Sequence, residues 1–100
     1  MPTNGPPLGQ LSIVLVEDSA EDAELIQDML LDAGLSASFQ RVDDESGLLD
    51  ALGNGPVDIV LSDLSMPGFS GMRALSIVRE CFPHLPLVFV SGTMGEELAV

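Results

Sequence analysis

The chain has 100 residues, 46% of them hydrophobic, and carries 16 acidic residues against three arginines and no lysine, for a formal net charge of −13. That length builds one small domain, and the apolar fraction separates it from disordered chains. The charge argues against a direct grip on nucleic-acid phosphates or anionic membrane surfaces and suits cationic partners, metal ions included.

In chain order, MPTNGPPLGQ is rich in Pro and Gly and lacks both a basic segment and an apolar one. It reads as a flexible leader over residues 1–10 and not as a secretory signal. LSIVLV (11–16) is a continuous β-branched, apolar run, the pattern of a strand buried on both faces of a parallel sheet. Ser19 with Asp22 starts a helix, which carries Leu25, Ile26, Met29, Leu30 and Ala33 at helical spacing and stops at Gly34. SASFQRV (36–42) is a weaker strand, and its Arg41 suits an edge, where charge discourages unwanted pairing. Asp43 or Asp44 caps a short helix through Leu48, Leu49 and Leu52, which GNGP (53–56) ends.

VDIVLS (57–62) predicts another buried strand, and DLSMPGFSG (63–71) a loop broken by Pro67, Gly68 and Gly71. A third helix runs from about Met72 to Phe82, with Ala74, Ile77, Val78 and Cys81 on its apolar face. LVFV (87–90) is a strand, and Thr93 with Glu96 opens a further helix. The alternation predicts an α/β, doubly wound parallel sheet with helices on both faces. No apolar run approaches the ~18 residues of a membrane span. The single cysteine, Cys81, has no partner for an internal disulfide and fits a reducing compartment, so the expected location is cytoplasmic.

In open parallel sheets, ligands sit beyond the carboxyl ends of the strands, where strand order reverses. Glu17 and Asp18 follow the first strand, Asp63 the third, and Ser91 and Gly92 the fourth. If the first and third strands are neighbours, the three carboxylates converge. Carboxylates so close repel unless a cation intervenes. Mg²⁺, a hard ion that prefers oxygen, is the natural choice. A carboxylate is also a competent nucleophile for forming an aspartyl phosphate. Ser91 offers a hydroxyl to a phosphoryl oxygen, and Gly92 lets the backbone N–H approach closely.

IVLVEDS, IVLSDLSMPGFSG and LVFVSGT, in this order and spacing, resemble the three signatures of response-regulator receiver domains. The resemblance covers nearly the whole chain after the leader. It implies a flavodoxin-like fold of strand order 2-1-3-4-5, in which Asp63 takes a phosphoryl group from a phosphohistidine on a histidine kinase or histidine phosphotransfer protein. It also implies that Asp18 and Asp63 ligate Mg²⁺ directly, that Glu17 acts through water, and that the Ser65 carbonyl completes the ligands. The phosphoryl group would lie against Leu64, Ser65, Ser91 and Gly92. The family places a lysine on a fifth strand; this sequence has no lysine, and a domain over 11–100 leaves no room for a fifth strand and helix.

Two other readings stand beside this one. A receiver-like module impaired in phosphorylation would use the same shape for protein contact. A Mg²⁺-dependent phosphohydrolase resembling the haloacid dehalogenases would need a second acidic residue where Ser65 stands. A flavin site is disfavoured, because VEDSAED would repel a phosphate. The chain is expected to be a signalling domain that catalyses at most its own phosphorylation and dephosphorylation. Its fourth strand, apolar on both faces, predicts self-association through an open edge.

Overall fold

The structure, a computed structural model, describes residues 10–63 and 69–90. The chain runs β1 (Leu11–Val16), α1 (Ala20–Asp32), β2 (Ala37–Val42), α2 (Glu45–Gly53), β3 (Ile59–Asp63), α3 (Gly71–Cys81) and β4 (Leu87–Val90). All strand pairs are parallel, in the order β2-β1-β3-β4. This is the doubly wound parallel arrangement that the alternation predicts, and its strand order is the flavodoxin-like one that the resemblance implies. The chain leaves β1 for β2 on one side and then crosses to β3 on the other, so strand order reverses at β1/β3.

Strand alternation sorts the core into two layers. Ile13 and Leu15 of β1 join Leu61 beneath Ala23 and Ile26 of α1. Val14, Val16, Val42 and Val60 face the other way, against Leu48, Ala51 and Leu52 of α2 and Ala74, Ile77 and Val78 of α3. A strand covered on both sides needs apolar residues at consecutive positions, which is why LSIVLV does not alternate.

Local chemistry fixes the helix ends. Ser19 caps α1, its Oγ accepting from the Asp22 N–H at 3.1 Å. Asp44, not Asp43, caps α2, accepting from the Gly47 N–H at 2.7 Å. Gly34 adopts φ 98°, and the N–H groups of Gly34 and Leu35 donate to Leu31 and Leu30 carbonyls. That left-handed residue closes α1 as a Schellman turn, which favours glycine for want of a Cβ.

Several expectations shift. β3 begins at Ile59, two residues later than the sequence suggests, because Asp58 is used otherwise. Its carboxylate accepts from the Ser12 N–H at 2.8 Å, while its own N–H donates to the Ser12 carbonyl at 2.8 Å. Leu25, Met29 and Leu49 lie on exposed flanks of their helices; Ala23, Ile26 and Ala51 take the buried positions. α3 starts at Gly71, and Cys81, expected on the apolar face, is exposed at the last position of that helix. β4 is an edge strand of the described sheet, opposite β2, and Val88 on it is exposed. The expected leader and the helix after Thr93 lie outside the described residues. Among the described residues, no helix is long and apolar enough to cross a membrane.

Candidate functional site

The β1/β3 register runs from Ile13↔Ile59 to Val16↔Ser62. One step further, Asp63 stands level with Glu17 at the carboxyl ends of the two central strands. Asp18 follows in the turn to α1. The carboxylate oxygens of Glu17, Asp18 and Asp63 come within 4.8 Å of one another. Glu17 is 1% exposed and Asp63 5%, while Asp18 faces solvent. The reversal of strand order therefore brings two buried carboxylates and one exposed carboxylate together in an acidic crevice.

Glu17 is held from several directions. Its N–H donates to the Val42 carbonyl at 2.9 Å, and its own carbonyl accepts from Arg41 Nη1 at 3.1 Å. Its Oε2 accepts from the Ser19 N–H at 3.1 Å. Its Oε1 is buried and has no hydrogen-bond partner among the described residues. Burial pushes the Glu17 carboxyl up to about 7; the Ser19 N–H opposes the rise, and the charge of Asp63, a hydrogen bond with Asp18 and the charge of Asp22 add to it. Without a cation, this group carries its negative charge only at a cost. A buried oxygen without a hydrogen-bond partner among the described residues, beside two further carboxylates, has the chemistry that a hard divalent ion prefers.

The neighbouring segments are anchored by residues that composition and motif did not single out. Ser62 is fully buried, and its Oγ donates to the Asp63 carbonyl at 3.0 Å. Phe69 is buried in the layer beneath α2 and α3, and Ser70 caps α3 by accepting from the Arg73 N–H at 3.1 Å. The Arg73 guanidinium grips Glu45 with two hydrogen bonds, 3.2 and 3.0 Å, tying the first turns of α2 and α3 together. That grip holds the Glu45 carboxyl below the ordinary carboxylate range. A serine directly before the first helical residue is a local capping signal that could have pointed to Ser70. The long-range Arg41 and Arg73 contacts left no local signal. Of the expected site residues, Glu17, Asp18 and Asp63 come together; Leu64, Ser65, Ser91 and Gly92 lie outside the described residues.

The family model described as the response regulator receiver domain matches residues 13–100. The chain belongs to that family and is a signalling module of two-component systems. It is 33% identical over 88 residues to the response regulator protein FleR of Pseudomonas aeruginosa, covering 88% of this chain and 18% of that protein. It is 31% identical over 84 residues to the chemotaxis protein CheY of Pseudomonas aeruginosa, covering 82% of this chain and 67% of that one. The match thus spans less than a fifth of FleR. Among solved structures, a receiver protein from Pseudomonas putida superposes with a TM-score of 0.68 at 21% identity, covering 82% of this chain and 68% of that one. A chain in the crystal structure of histidine kinase ThkA in complex with response regulator protein TrrA gives 0.68 at 22%, covering 87% of this chain and 73% of that one. At these identities the two structures speak for the fold.

Proposed function

We propose that the chain is a phosphoacceptor of a two-component relay, taking a phosphoryl group onto Asp63 from a phosphohistidine with Mg²⁺ bound in the acidic crevice. The observation that carries this reading is the convergence of Glu17, Asp18 and Asp63 within 4.8 Å, at the strand-order reversal of a receiver sheet. In the transfer, an Asp63 carboxylate oxygen attacks phosphorus, a P–O bond forms, the P–N bond of the phosphohistidine breaks, and the imidazole nitrogen takes up a proton. Asp18 and Asp63 would hold the ion directly and Glu17 through water, with the Ser65 carbonyl as a further ligand. When bound, Mg²⁺ neutralises charge on the phosphoryl oxygens.

The protein's own contribution is position. The end of β3 fixes Asp63, and the β1–α1 turn fixes the other two carboxylates. Leu64, Ser65, Ser91 and Gly92 would contact the phosphoryl oxygens. A histidine kinase or histidine phosphotransfer protein is the donor, and the kinase named in the ThkA–TrrA complex is a precedent for such a partner. The location that goes with this role is the cytoplasm. The test is transfer of label from a histidine-phosphorylated donor to the wild-type chain and to Asp63→Asn. Labelling of the wild type alone, lost with chelator, supports the reading; equal labelling of both would end it.

A further inference from the structure

We propose that Arg41 is a positioning residue for the acidic crevice, acting through the peptide plane that joins Glu17 to Asp18. The inference rests on the cation site proposed above. Arg41 pairs with Leu15 in the β1/β2 register and reaches forward along the sheet edge. Its Nη1 donates to the Glu17 carbonyl at 3.1 Å. The Glu17 N–H, on the preceding peptide, donates to the Val42 carbonyl at 2.9 Å. Both peptide planes flanking the Glu17 Cα are therefore clamped to β2, which fixes the direction of its side chain. The second of these planes also carries the Asp18 nitrogen, so the same clamp sets where the Asp18 carboxylate starts.

An edge strand has no need of a guanidinium at this point for the sheet ladder itself, since Glu17 lies one residue past the last paired position of β1. Asp43 lies 3.8 Å from Arg41 Nη1. Both partners of that ion pair are substantially solvated, so it contributes little stability of its own. The bond to the Glu17 carbonyl is the contact that reaches the site, a charge-assisted hydrogen bond to a residue whose carboxylate belongs to the acidic trio. Outer residues that orient ligands in this way are worth as much as tenfold or more in metal affinity.

Charge and position predict opposite outcomes, which makes the role testable. Arg41 is a cation beside a cation site, so its charge alone repels Mg²⁺. If charge were all it supplied, Arg41→Ala, Arg41→Met and Arg41→Gln would each tighten Mg²⁺ binding to the same degree. As a clamp, Arg41→Ala and Arg41→Met weaken binding roughly tenfold, while Arg41→Gln, neutral but still a donor, recovers part of the loss. Mg²⁺ itself is the probe, titrated by calorimetry into the full chain. The amide ¹⁵N resonance of Asp18, read without metal, should shift in the Ala and Met variants and return toward wild type in Gln. A folded Ala variant with unchanged or tighter Mg²⁺ binding would overturn the proposal while the cation site stands. Wild type that binds no Mg²⁺ would overturn both, and a metal-free Asp18 shift that is the same in wild type and the Ala and Met variants would overturn the clamp alone.

Discussion

Replacing Glu17 with Gln should make the metal-free chain more stable at pH 8 and nearly neutral in effect at pH 5. The Gln side chain keeps an oxygen for the Ser19 N–H and carries no charge into the buried crevice. In the wild type, burial and the neighbouring carboxylates raise the Glu17 carboxyl from 4.5 to about 7. A folded value above the unfolded one means that the group's contribution is fully present below 4.5 and is lost as pH rises through 7. A shift of that size corresponds to about 3 kcal/mol at roughly 1.4 kcal/mol per pH unit, most of it appearing between pH 5 and pH 8. Against a total stability on the order of 5–15 kcal/mol, this is readily measured. Urea unfolding of both proteins in EDTA, at the two pH values, gives the double difference that isolates Glu17 from the rest of the acidic surface. Saturating Mg²⁺ at pH 8 should close the gap, because the ion compensates the charge. A wild-type-to-variant difference that is the same at pH 5 and pH 8 would refute the reasoning.

Three further outcomes follow from the same geometry. Mg²⁺ affinity of the wild type should tighten by about tenfold from pH 6 to pH 8 as Glu17 gives up its proton, since the ion and the proton compete for the charge of the same carboxylate even when water stands between it and the ion; in Glu17→Gln the calorimetric profile should be nearly flat. Ser19→Ala removes the α1 cap and should cost about 1 kcal/mol in thermal or urea unfolding. Leu48→Ala, at a fully buried position between sheet and α2, should cost about 3 kcal/mol, whereas Leu49→Ala, at an exposed neighbour, should change stability by less than about 0.5 kcal/mol; equal losses would mean that the face of α2 is misassigned.

The strands and the alternation were legible because a parallel sheet covered on both sides writes unbroken apolar runs, as in LSIVLV. The helix starts at Ser19 and at Asp43 or Asp44, and the stop at Gly34, were legible because capping is local chemistry; which of the two aspartates caps α2 was settled only by the structure. The helix faces were less so. Leu25 and Met29 share a stripe at helical spacing with Ile26, and only packing against Ile13, Leu15 and Leu61 reveals that Ala23 and Ile26 face the sheet. Cys81 continues the apolar spacing of α3 into its last position and is exposed there.

In the site, the three carboxylates were named by their positions at strand ends, but their inequality was not. Which of two adjacent acids is buried depends on how β1 exits the sheet, and the structure buries Glu17 while leaving Asp18 in solvent. Arg41, read from sequence as an edge charge, turns out also to bond the Glu17 carbonyl, a contact between residues 24 apart that no local pattern encodes.

The measurement closest to the central claim is the identity of the residue that becomes phosphorylated. The chain is incubated with acetyl phosphate and Mg²⁺, the acyl phosphate is trapped with borohydride, and the modified residue is located by mass spectrometry. A single modification at Asp63 is expected, absent with EDTA and absent in Asp63→Asn. Modification that persists in Asp63→Asn, or that maps to another carboxylate, would contradict it.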